Sequence, residues 1–256
     1  MTKYLTLIAL VLMPINIYAE TMLGIDLDIG TWNASIDGEI VSENSPQTLP
    51  PINMSTLGID QGQQNNHFSL SLRHPLTPLP NIKFAYTAIG ANATETLSNA
   101  IIFADNNYAA ATEVTSEIDF TITDLTFFYR IDLAPVSIDL GLTARKVSGD
   151  LSITEAGAIV SPKEEIDGTI PMLHMDLQFN IPGTSLRLGA QANYSGNGDD
   201  SFSDYIGKLS IVSDGWGLDL GIDLGYRIIE IESSDESSLQ AALDVGGPFI
   251  ALLMRF

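Results

Sequence analysis

The sequence predicts an all-β protein: a transmembrane, up-and-down antiparallel β-barrel of about ten strands, with long extracellular loops and short periplasmic turns. Three observations predict it. Apolar and polar residues alternate through almost every segment, a period that strands have and helices lack. The connections between these segments run long and short by turns, as in outer-membrane barrels whose two termini share one side. Cysteine is absent and no later apolar run reaches the ~20 residues of a spanning helix, so neither disulfides nor helices hold the chain in place.

The N-terminus comes first. MTKYLTLIALVLMPINIYAE carries Lys3, an apolar run from Leu5 to Met13 and a small residue at Ala19. Those features match a secretory signal peptide over residues 1–19, with the barrel over 20–256; the competing reading is a short membrane anchor. Cleavage removes Lys3 and no acid. It leaves 10 basic against 32 acidic residues, a formal charge of −22. So acidic a chain repels nucleic acid, which excludes DNA or RNA as partner.

The strands follow in order. LGIDLDI (23–29) alternates Leu23, Ile25, Leu27 and Ile29 with Asp26 and Asp28. HFSLSLR (67–73) and IKFAYTA (82–88) are joined by a proline-rich turn. EIDFTITDLTFFYR (117–130) changes phase near Thr123–Leu125, which predicts a β-bulge. SIDLGLTARK (137–146), PMLHMDLQF (171–179), TSLRLGAQANY (184–194) and SDYIGKLSI (203–211) come next. In WGLDLGIDLGYRII, Trp216, Leu218, Leu220, Ile222, Leu224, Tyr226 and Ile228 share one face. GGPFIALLMRF closes the chain, with Ile250, Leu252, Met254 and Phe256 on one side. Long loops are expected at 38–65, 91–113, 153–165, 195–202 and 232–239. The 91–113 stretch, with NAIIF and YAAA, is too apolar for a solvated loop and is expected in the barrel mouth or as a short helix.

Eight of the ten remaining bases fall on the polar faces: Arg73, Lys83, Arg130, Arg145, Arg187, Lys208, Arg227 and Arg255. Interleaved with them are Asp26, Asp28, Glu117, Asp119, Asp139, His174, Asp176, Asp204, Asp219 and Asp223. A soluble sandwich would turn such faces to water. Apolar stripes on every strand, and bases that avoid the loops, instead point to an apolar exterior in lipid and a charge-paired lumen.

Several stretches resemble a family of outer-membrane β-barrel proteins of Gram-negative bacteria described as "outer membrane protein with GlyGly". They are LGIDLDIGTW (23–32), DLGLTARK (139–146), PMLHMDLQFNIPGTSLRLGAQANY (171–194), SDYIGKLSI (203–211), LGIDLGYRIIEIE (220–232) and DVGGPFIALLMRF (244–256). The resemblance covers most of residues 20–256 through the order and spacing of these stretches. It implies a small outer-membrane barrel and transfers no catalytic residue. It also implies that Phe256, a terminal aromatic, is the signal read by the barrel assembly machinery.

Signals for chemistry are thin. His67 with Ser69 offers a base beside a nucleophile, and Asp26/Asp28 or Asp219/Asp223 offer paired carboxylates; each also fits the polar beat of a strand. No cofactor motif and no metal-ligand spacing is present. Acids in 155–168, 196–204 and 230–238 form either a solvated rim or a site for divalent cations, which also bridge the anionic lipopolysaccharide of the outer membrane. About ten strands enclose a lumen that side chains nearly fill. A plugged barrel with a structural or surface-interaction role therefore leads. A narrow cation-preferring pore follows, and a barrel enzyme acting on lipid or peptide comes last.

Phe256→Asp is expected to impair insertion. Outer-membrane fractions should hold less heat-modifiable protein than wild type, with unfolded precursor accumulating.

Overall fold

A computed structural model describes residues 23–42, 50–76, 78–198, 200–213, 217–233 and 240–256. The expected signal peptide and Trp216 lie outside the described residues. The strands are β1 (Gly24–Val41), β2 (Ile52–Asn53), β3 (Gln63–Arg73), β4 (Asn81–Thr96), β5 (Ile101–Phe103), β6 (Asn106–Tyr108), β7 (Glu113–Leu133), β8 (Val136–Glu155), β9 (Lys163–Asn180), β10 (Leu186–Asn197), β11 (Asp200–Ser213), β12 (Asp219–Ser233) and β13 (Gln240–Arg255). Ten of them pair antiparallel in the order β1-β3-β4-β7-β8-β9-β10-β11-β12-β13, and β13 returns to β1, closing a barrel. The two-residue β2 adds to the end of β1, and β5 with β6 forms a separate hairpin.

Closure hides the strand edges through the half of the barrel that carries the apolar outer face, as a bilayer demands because it offers backbone groups no partner. The β13–β1 seam runs from Asp26↔Arg255 to Val41↔Gln240. It loosens only opposite Gly247 and Pro248, where proline has no N–H to give. There the backbones close in: a Cβ on Gly247 would lie 1.9 Å from the Asn33 carbonyl oxygen. The Trp32 indole donates to the Gly247 carbonyl at 3.0 Å beside this gap.

Polarity reverses halfway up the strands. On β8, Ile138, Leu140, Leu142 and Ala144 point outward, followed on the same face by Lys146, Ser148, Asp150 and Ser152. The inward face runs the other way, from Asp139, Thr143 and Arg145 to Val147, Leu151 and Ile153. Leu142 is 62 % exposed while Arg145, three residues on, is wholly buried. On β4, Lys83, Ala85 and Thr87 face inward, then Ile89 and Ala91; Ile82, Phe84 and Tyr86 face outward, then Asn92 and Thr94. β1, β7, β9 and β12 repeat the exchange. The lower half thus has lipid outside and polar groups within, and the upper half water outside and an apolar core within.

This exchange corrects two readings. β7 keeps unbroken register with β4 (Asn81↔Phe128 to Thr96↔Glu113) and with β8 (Val114↔Glu155 to Leu133↔Val136). Hence there is no bulge at Thr123–Leu125; the strand changes surroundings rather than phase. Glu117 and Asp119, expected in the lumen, consequently face outward into water, while Ile118 and Ile122 face in.

The long-loop side is the side on which the strands overrun the membrane. Most of 195–202 is strand, as are the ends of 38–65, 91–113 and 153–165. The apolar 91–113 stretch folds into the mouth as the β5–β6 hairpin, not as a helix, and buries Ile101, Phe103 and Tyr108. Met54, Leu57 and Ile59 bury beside it from a 3-10 turn that Asn53 caps at Ser55 N.

Two outward positions on β4 separate the halves. Phe84→Arg is expected to destabilise the barrel by about 2–4 kcal/mol, the cost of a charge near mid-bilayer. Asn92→Arg, on the same face higher up, should leave stability unchanged in urea titrations of protein refolded into vesicles.

Candidate functional site

The lumen holds two distinct environments. The lower one is a charged plug assembled from residues that cross-strand register brings together. Arg130 lies directly opposite Asp139 and forks onto it at 2.7 and 2.6 Å. Asp26 faces Arg255 across the seam and accepts from it at 2.6 Å; Arg73 reaches the same carboxylate at 3.0 Å. Lys208 donates to Asp223 at 2.6 Å, and His67 Nε2 lies 2.7 Å from Asp28. His174 Nδ1 meets the Asn193 carbonyl oxygen at 2.7 Å.

At the top of this plug, partners span the lumen. Arg145 forks onto Asp124, its opposite number on β7, at 2.8 and 2.6 Å, and reaches Asp204 on β11 at 2.5 Å. Arg227 grips the same Asp204 at 2.9 and 2.8 Å and donates to Thr87 on β4 at 2.9 Å. Two carboxylates and two guanidiniums balance in charge, which is what makes full burial tolerable. Each is the last polar inward residue before the apolar half: Thr87 below Ile89, Asp124 below Ile122, Arg145 below Val147, Asp204 below Phe202, Arg227 below Ile229. The guanidiniums also pack upward on rings, Arg145 over Phe202 and Arg227 over Trp32, both 5.1 Å from the centroid. Tyr86, Tyr205 and Tyr226, neighbours in sequence of Thr87, Asp204 and Arg227, point outward at this level. A tyrosine belt there marks the bilayer surface.

Lower down, Lys83 crosses from β4 to Gln191 on β10 at 2.6 Å. The plug leaves two polar cavities of about 70 Å³ each, room for a few waters.

The sequence-predicted residues distribute plainly. Asp26, Asp28, Arg73, Lys83, Asp139, Arg145, Asp176, Arg187, Asp204, Lys208, Asp223, Arg227 and Arg255 line the lower lumen. Asp219 stands at the start of β12, across from Arg255. Asp219 and Asp223 are two pleat repeats apart along β12, roughly 13 Å, and Asp223 is engaged by Lys208. Asp26 and Asp28 have separate partners, the guanidiniums of Arg73 and Arg255 for the first and the imidazole of His67 for the second. Ser69 shares the lumen with His67, whose ring nitrogen is directed to Asp28. Phe256 faces outward and its backbone pairs with Ile25. Asp124 was missed: the supposed bulge hid it, whereas simple alternation through β7 puts it on the lumen face with Arg130. Gln191, Asn193 and Thr87 carry no charge and gave no signal.

The upper environment is an apolar chamber of about 410 Å³, lined by Ile36, Ile118, Phe120, Ile166, Ile170, Phe202 and Ile231 among others. The hairpin is latched over one side of it. Ser42 and Glu164 are hydrogen-bonded, and the Ala104 N–H reaches both, at 3.1 and 3.3 Å. The Tyr108 hydroxyl donates to the Ile153 carbonyl at 2.6 Å. Burial, with Glu155 near, pushes that phenol above its usual range and keeps it a neutral donor. Outside, acids at the rim pair with the two bases of the upper half: Lys163 with Glu165 at 2.5 Å and Lys146 with Asp167 at 3.4 Å. Among the described residues no three His, Asp or Glu side chains converge as metal ligands do.

No protein-family profile and no curated protein matches the chain. Among solved structures it is similar to the outer membrane protease OmpT of Escherichia coli, at 9 % identity and TM-score 0.51 over 91 % of this chain and 96 % of that one. It is also similar to the transport unit of the Escherichia coli autotransporter AIDA-I, at 11 % identity and TM-score 0.39 over 96 % and 93 %. At such identity the likeness to OmpT concerns the fold, that of an outer-membrane β-barrel, and no activity.

The balance within the plug can be tested by a pair of changes. Arg145→Met strands one buried carboxylate and is expected to cost about 3–5 kcal/mol. Adding Asp124→Asn restores neutrality and should recover at least half of that loss, measured as a double-mutant cycle in urea.

Proposed function

We propose that the protein is a non-conducting outer-membrane barrel with a structural or surface-interaction role. The observation that carries this reading is the ion-paired layer formed by Asp124, Arg145, Asp204, Arg227 and Thr87. Its contacts run from β7 and β8 to β11, and from β12 to β4, so opposite walls are tied through the lumen. A hydrated ion would have to displace charge-assisted hydrogen bonds in a site with room for few waters. The narrow pore lacks a supporting observation of this kind, and the His67–Asp28 pair is sunk in the lumen, where a peptide or lipid substrate has no cleft to occupy.

In this reading the signal peptide directs export and the barrel assembly machinery reads Phe256. Lipid then surrounds the apolar belt of Phe84, Leu142 and Leu220. The acidic rim meets the lipopolysaccharide layer, where divalent cations soften the repulsion between like charges. The upper half, standing in water, is the part available to partners outside the cell.

Planar-bilayer recording of the refolded protein is expected to show no discrete conductance steps at low or high salt. Reproducible cation-selective steps, absent from a mock preparation, would replace the plugged reading with the pore.

A further inference from the structure

The wall of the upper half is incomplete in two places. β4 runs on past its last pair with β3 (His67↔Thr87), where Gly58 after the 3-10 turn lies against Ala93 and Glu95. The second gap lies beside β9. β9 pairs with β8 along its length, from Val136↔Phe179 up to Ser152↔Lys163. Its pairing with β10 stops at Leu173↔Tyr194. Beyond that point β10 turns into β11, and β9 carries on alone for ten residues, Lys163–Met172, as an edge. Pro171 sits just above the last pair, where a strand leaving its neighbour has no use for every N–H. Ile166, Gly168 and Ile170 on this edge line the apolar chamber, and Glu165 and Asp167 border it. The chamber therefore opens sideways between β9 and the β10–β11 hairpin, above the tyrosine belt, while the ion-paired layer closes its floor.

We infer that this chamber is a binding site for an uncharged, largely hydrocarbon small molecule that enters through the side opening. Its volume lies within the roughly 300–1,000 Å³ of small-molecule pockets, and its lining is aliphatic with two phenylalanines. The hairpin and the 3-10 turn pack beside this space, with Met54 among its lining residues, and strands round the barrel from β1 to β13 contribute to its wall. Polarity at the entrance selects the ligand further. Glu165 and Asp167, each ion-paired with a lysine (Lys163 and Lys146), leave little net charge there, so an anionic head group gains no partner for the hydration it loses and a neutral molecule is favoured. Gly168 is the position that keeps the space open: a Cβ there would meet nothing within 4 Å.

The test uses the full barrel in lipid nanodiscs and the neutral fluorophore N-phenyl-1-naphthylamine. Wild type should add one saturable site per barrel above empty nanodiscs. The anionic analogue 8-anilino-1-naphthalenesulfonate should bind more weakly. Gly168→Phe and the milder Gly168→Leu fill the chamber and should weaken the neutral probe, the larger residue on the order of tenfold or more, while heat-modifiability shows both barrels folded. Asp167→Asn, at the rim, should keep the neutral site and strengthen the anionic probe. Lipid quantified before and after probe addition separates two sources of the same chemistry: release of one equivalent marks a membrane-derived chain, and no release a ligand from the medium. No signal above empty nanodiscs, or equal binding by wild type and Gly168→Phe, would overturn the site.

Discussion

A strand that runs from a bilayer into water keeps a single pleat while the solvent on its outer face changes. Everything in this barrel follows from that constraint. Each strand has one set of residues facing out and one facing in, and unbroken register forbids the sets from trading places. The composition of both sets must therefore invert at one height. Below it, Leu140 and Leu142 meet lipid while Asp139 and Arg145 meet each other; above it, Asp150 and Ser152 meet water while Leu151 and Ile153 form a core. The lower half is stabilised by pairing charges in a confined lumen, the upper half by ordinary apolar burial.

The junction between the halves has its own chemistry. A charged plug and an apolar core are poor neighbours, because a buried charge loses its hydration. Arginine suits the junction better than lysine would: its planar guanidinium offers in-plane donors to carboxylates and a weakly hydrated face to a ring. Arg145 and Arg227 use both features, with Asp124 and Asp204 in plane and Phe202 and Trp32 overhead. This layer is at once the lid of the plug, the floor of the apolar chamber and the level of the bilayer surface. The same contacts that tie the walls together across the lumen thus give the chamber its floor.

Much of this was legible in the residues. Period-two alternation, as in the stripe of Ile250, Leu252 and Phe256, specifies strands, and such stripes on nearly every strand, with the bases kept to the opposite face, favour a barrel in lipid over a soluble sandwich. The bases were legible too, since a base on a lipid-facing strand has few places to go but inward. The upper half was not. Glu117 and Asp119 alternate as regularly as Asp139, and alternation alone does not say which face is wet; that depends on how high the residue stands. The switch in hydropathy along β7, with its pleat unbroken, was the visible trace of the crossing and looked like a bulge. The side opening depends on where β9 and β10 part, which no short window of sequence reports.

The most direct measurement is a nitroxide scan of the outward positions of β8 in lipid bilayers, reading accessibility to oxygen and to a water-soluble nickel chelate. Labels replacing Ile138, Leu140, Leu142 and Ala144 should favour oxygen, and those replacing Lys146, Ser148, Asp150 and Ser152 should favour the chelate, with the crossover at the level of Arg145. Oxygen accessibility that persists through Ser152, or chelate accessibility already at Leu140, would contradict a barrel whose two halves stand in different solvents.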